Sequence, residues 1–182
     1  SNGLTSSAVY RDPSAWYHVV LALDTTQATA SDRLKLYVNG SQVTAFATDT
    51  RSTYITQNSN LAWNGTQVQG IGATNYTHLS SIGRPLDGYL TEVNFINNQQ
   101  LTPSSFGSTN AATGVWQPAA YTGSYGTNGF YLPFTDNSAL TTASNVGLGK
   151  DFSGNANYWV TNNISITAGV TYDSMTDVPT LT

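Results

Sequence analysis

Cysteine is absent from these 182 residues, and methionine occurs once. Without a thiol the chain has no disulfide, no zinc-thiolate site and no cysteine nucleophile, and its redox compartment is left open. Charge is nearly as scarce. Only 9% of the residues are Asp, Glu, Lys or Arg, against roughly a quarter in an ordinary soluble domain. Glu occurs once, as Glu92, and Lys twice, as Lys35 and Lys150. With a net charge of −4 and no cluster of three basic residues, there is no electrostatic footprint for nucleic acid, which needs cations to displace counterions from phosphate. No apolar run reaches the length that spans a bilayer. The chain opens Ser1-Asn2-Gly3, with neither an initiator Met nor a signal-peptide pattern, as expected of a processed product or a segment of a longer chain.

What fills the space is polar and uncharged. Ser, Thr and Asn together number 63, and the straight-chain helix formers are few, so the composition favours strands and turns over helices. With 39% hydrophobic and 12% aromatic residues the chain can bury a core and is not expected to be disordered. The run Trp16–Leu23 reads as a strand. Leu34, Leu36 and Val38 alternate with Lys35 and Tyr37 in a second, which ends at Asn39-Gly40, the dipeptide suited to the positive φ angles of a tight hairpin. Gln42–Phe46 is the expected return, so residues 16–46 form a three-strand meander, with Leu34, Leu36 and Val38 facing the core. Residues 47–77 read as exposed loops. Tyr89–Ile96 alternates as a further strand with Glu92 in its middle, and Val93 and Phe95 are expected inside. Thr102 is placed to cap a helical turn with Pro103 at its first position. Gly107–Gly129 reads as an extended bridge, and Phe130–Phe134, Tyr158–Val160 and Ile164–Thr167 as strands.

Candidate chemistry follows from side chains in loops. Flat aromatic rings beside amides and hydroxyls suit a pyranose ring, and Trp63, Asn64, Tyr76, Trp116 and Tyr125 are the carbohydrate-binding candidates. Asp136, Asp151, Asn155 and Asn157 place hard oxygen ligands in Gly-containing loops of the kind calcium accepts, making calcium the one candidate cofactor, although Asx turns account for the same residues. Glycoside hydrolysis needs two carboxylates, and no acid accompanies Glu92 in its strand. His18 and His78 stand apart from any triad or metal-ligand spacing. No catalytic residue is therefore assigned, and the chain is read as a non-enzyme.

Two blocks in order carry a likeness. Trp16-Tyr17-His18-Val19-Val20 leads to Leu34-Lys35-Leu36-Tyr37-Val38-Asn39-Gly40, and Ile82-Gly83-Arg84 leads to Leu86-Asp87-Gly88-Tyr89-Leu90-Thr91-Glu92-Val93. Together they resemble the second half of a laminin G-like, concanavalin A-like jelly-roll domain. The wider run, including ATGVWQPAAYTG, YGTNGFYLPFTDNS and LGKDFSGNANYW, is similar to proteins of this kind encoded by tailed bacteriophages, which are taken to be tail-fibre or virion-surface proteins. The resemblance implies an all-β antiparallel sandwich, a place on a virion surface or otherwise outside the cell, a calcium ion in many members, and adhesion to a host-surface glycan in company with other copies of the chain or other virion proteins. A secreted bacterial adhesin or a carbohydrate-binding module of a larger protein is the alternative. The early strands of the family pattern are missing ahead of the first block, while an opening-like motif, Phe130–Asp136 followed by Asp151–Asn155, comes after the second. Either the chain is a fragment, or its C-terminal part finishes the sandwich. On this reading residues 1–106 are the laminin G-like half, and 107–182 an extension whose strands complete it or pair with a neighbouring subunit, the latter being favoured because the bridge is long and Gly-rich.

Overall fold

The structure is a computed structural model that describes residues 3–63, 65, 69–75, 82–83, 86–140, 144–162, 164–166 and 181, with backbone alone for 74–75 and 82–83. Its strands are β1 (Leu4–Ser6), β2 (Val19–Leu23), β3 (Leu34–Val38), β4 (Ser41–Gln42), β5 (Phe46–Asp49), β6 (Thr74–Asn75), β7 (Ile82–Gly83), β8 (Val93–Phe95), β9 (Gly107–Thr109), β10 (Trp116–Pro118) and β11 (Phe130–Leu132). Among the described residues helix is confined to single turns, α1 (Ala30–Arg33), α2 (Arg51–Tyr54) and a 3₁₀ turn at Pro103–Ser105. The fold is all-β, in small antiparallel sheets, as the composition leads one to expect. Chain contacts divide it into two units: residues 1–67 with 99–122 and 181–182, and residues 68–98 with 123–180.

The first unit is built on the meander β2-β3-β4. Asn39 and Gly40 both take positive φ, 47° and 79°, which is the hairpin geometry their sequence implies. The return strand is shorter than expected. Only Ser41 and Gln42 pair with β3, while Phe46–Asp49 pairs with β1 instead. The ladder between β2 and β3 sets Val19 opposite Val38, Leu21 opposite Leu36 and Leu23 opposite Leu34, so these six share one face and Val20 and Ala22 lie on the other. Cover comes from an unexpected side. Val20 and Ala22 are buried while Val19 and Leu21 are exposed, and His18, on the same face as Val20 and Ala22, packs on Phe106 and stacks on Trp116 at 5.6 Å. Of the three residues expected to face the core, Val38 is buried and Leu34 and Leu36 are half-buried.

Two buried arginines fix the loops of this unit. Arg33 donates to the carbonyls of Gln27, Ala28 and Ile55. Arg51 forks onto Asp49, donates to the carbonyls of Ser31 and Leu34, and lies over the Phe46 ring. The segment expected as a bridge folds back here as the β9-β10 hairpin. Gly40 and Gly107 lie against the indole of Trp116 so closely that a Cβ on either would overlap it. At Thr102 the expected cap is not formed; its hydroxyl pairs with that of Ser104 at 2.8 Å instead.

The second unit centres on β8 paired with β11. Val93 faces Leu132 and Phe95 faces Phe130. Phe95 and Phe130 stack at 5.4 Å, Trp159 meets Phe130 edge-on at 5.0 Å, and Leu132 is fully buried. The expected long strand 89–96 is cut to three residues because Glu92 takes a left-handed conformation, φ 56°, which a β-ladder does not admit. Phe130–Leu132 finds its partner within the same chain. Tyr158–Val160 and Ile164–Ile166 form no strand.

Candidate functional site

The other face of the β8-β11 pair carries polar chemistry. Asn94 and Tyr131 are register partners, so their side chains project together. The left-handed turn at Glu92 brings its carboxylate to the Tyr131 hydroxyl, which donates to Oε2 at 2.5 Å. Asn94 donates to the carbonyl of Glu92 at 2.9 Å and accepts the Tyr125 hydroxyl at 3.0 Å. Tyr125 stacks on Tyr131 with centroids 6.2 Å apart, and Phe152 meets Tyr131 edge-on at 6.4 Å. The Lys150 ammonium lies 4.7 Å from the centre of the Phe152 ring. Burial, then the accepting carboxylate, push the Tyr131 phenol well above its ordinary range, so it stays a donor at every physiological pH. The outcome is a half-buried aromatic face with one carboxylate and one amide fixed at its edge.

Beneath it lies a hub built on Asp151, which is 2% exposed. Its carboxylate accepts the backbone N–H groups of Tyr131, Ser153 and Asn157 and the Ser153 hydroxyl, each at 2.8 Å. Asn145 clasps the backbone of Asp151 from both sides. Asn155 donates to the carbonyls of Gly126 and Gly129, and Asn157 to those of Thr127 and Gly129. The residues considered as calcium ligands thus tie the turn 126–129 to the loop 151–157. Asp136 is held elsewhere, by the Ser138 N–H and by Lys150 at 3.8 Å; the Ser138 bonds lower its pKa. Among the described residues no three His, Asp or Glu side chains cluster.

The carbohydrate candidates have different surroundings where they are described. Trp63 is exposed, and Asn64 and Tyr76, with His78, lie outside the described residues. Trp116 is half-buried: its ring packs against Gly40, Gly107 and His18, and its Nε1 is buried without a hydrogen-bond partner. Among the described candidates, Tyr125 joins the polar aromatic face. Its companions Glu92, Asn94, Tyr131 and Phe152 were not among the binding candidates. The available signal was parity, since Glu92 and Asn94 are two residues apart and Tyr131 is the one hydroxyl-bearing position in an otherwise apolar strand.

No protein-family model, curated protein or solved structure matches this chain.

Proposed function

We propose that this chain is a non-enzymatic structural and adhesive module of a concanavalin A-like jelly roll, working on a virion surface or otherwise outside the cell, in the manner of a phage tail fibre, and that it holds a neutral host-surface glycan on the Tyr125–Tyr131–Phe152 face. The observation that carries the reading is the network of Glu92, Asn94, Tyr125 and Tyr131. Its rings offer a sugar its apolar face, and the carboxylate and amide offer fixed partners for hydroxyls. Rigidity matters because a pre-ordered site does not lose rotamer freedom on binding. Low charge supports a neutral ligand, since a charged one is recruited by steering fields that this composition does not supply. Hydrolysis would require a second carboxylate across the sugar from Glu92, and the nearby Asp151 carboxylate already accepts four hydrogen bonds from its own loops.

The test is binding of the purified chain to an array of neutral and acidic glycans. Retention of neutral glycans is expected, reduced by about tenfold or more in Tyr125→Ala, as loss of one stacking ring predicts, and unchanged in Trp63→Ala. No retained glycan, or retention indifferent to Tyr125, would overturn the reading.

A further inference from the structure

The strand β2 is the outermost member of its sheet, and no strand of the described residues pairs with its outer edge. The bonds from Asn39 N–H to the His18 carbonyl and from Asp24 N–H to the Arg33 carbonyl, with the register between them, fix which way each residue points. His18, Val20, Ala22 and Asp24 turn their backbone groups to β3. By the alternation of an antiparallel ladder, Val19, Leu21 and Leu23 turn theirs outward. Among the described residues none offers those outward groups a partner. The same strand exposes Val19 to 55% and Leu21 to 48%.

Edge strands in water are normally guarded by a charge, a proline or a bulge. Val19-Val20-Leu21-Ala22-Leu23 has none of these. We propose that this edge is a self-association surface, and that its occupant is β2 of a second copy of the chain, paired antiparallel about a two-fold axis through Leu21. Such a pairing is self-complementary. It sets Leu21 against its own copy and Val19 against Leu23, so that the three outward-facing residues of each strand are the ones that exchange backbone bonds. No like charges meet, because the strand carries none. The exposed side chains of Val19 and Leu21 lie flank to flank with Leu23 and Leu21 of the copy, and the two meanders become one six-stranded sheet. A closed two-fold contact of this kind leaves no further β2 edge and therefore stops at the dimer. The inference does not depend on glycan binding.

Sedimentation of the full chain over a range of micromolar concentrations tests it, together with amide hydrogen exchange resolved to single residues. A reversible dimer is expected, with the Leu21 amide slow to exchange at high concentration and fast on dilution. Leu21→Pro removes only the outward N–H, which an edge tolerates, and Leu21→Lys places a guard charge on an already exposed side chain; both are expected to sediment as folded monomers. A wild-type chain that stays monomeric, or a dimer in which the Leu21 amide exchanges freely, overturns the proposal. A dimer that persists in either folded variant does the same, and if neither variant folds the exchange measurement on the wild type decides.

Discussion

At the scale of single residues, His18 is the most informative side chain. It is stacked on Trp116 and packed on Phe106, its Nδ1 is buried without a partner, and burial lowers its pKa below the ordinary imidazole value. The segments around it, residues 39–46 and 101–122, contain no Asp, Glu, Lys or Arg. Among the described residues no carboxylate pairs with the ring, and burial disfavours its charged form. The unfolded chain takes the proton more readily than the folded one, so stability is complete above the free imidazole value of about 6.5 and falls as pH drops through the window beneath it. The melting temperature of the wild type is expected to decline between neutrality and mild acid, before the carboxylates titrate. His18→Gln should lose that part of the decline; an unchanged profile would show that the ring is not the titrating group. The same residue illustrates what local pattern conveys. Its strand was evident from Trp16–Leu23, yet which face is covered depends on Trp116, about a hundred positions away, and no alternation within β2 and β3 carries that information.

At the scale of elements, the loop 151–157 acts as a clasp for β11. Asp151→Ala would leave three N–H groups facing an apolar void and should cost about 3 kcal/mol or more, the usual range for orphaning buried partners of a charge. A denaturant titration reads this directly, and a loss below 1 kcal/mol, the net worth of about one ordinary hydrogen bond, would contradict the hub. The surroundings of this carboxylate are N–H and O–H donors, which favour an anion and oppose an approaching cation. Millimolar calcium or a chelator should accordingly leave the melting temperature unchanged, and a calcium-dependent rise would show that the loop rearranges around the ion. The loop's residues stand out in the sequence because Asp, Ser, Gly and Asn at these spacings serve both metal sites and Asx turns; where Asn155 and Asn157 point is set by the distant carbonyls of residues 126–129. The Asn39-Gly40 hairpin, by contrast, was legible outright because its geometry is decided by two adjacent residues. Glu92 was misplaced for the opposite reason: alternation on both sides reads through it, and its left-handed φ is paired with a bond to Tyr131 on another strand.

At the scale of the whole molecule, the chain passes between its two units four times, after residues 67, 98, 122 and 180. The boundary expected at residue 106 separates β8 from β11 and the β2 face from Trp116. A fragment of residues 1–106 is therefore expected to show no cooperative thermal transition and little near-ultraviolet circular dichroism, whereas the full chain shows both. A cooperative melt of the fragment would mean that the meander stands without the aromatic cover contributed by 107–122. The interleaved path has a consequence for the order of events during synthesis. When the first hundred residues have left the ribosome, the meander is present but the indole that lies on His18 is not, and β8 waits longer still for Phe130–Leu132 and its clasp. Neither unit can close until well over half of the chain has emerged, so contacts distant in sequence must form late and nearly together. Through that interval the apolar strand Val19–Leu23 is displayed on a nascent chain with few charges to keep neighbours apart, and slowing translation near its end would lengthen the period of greatest risk.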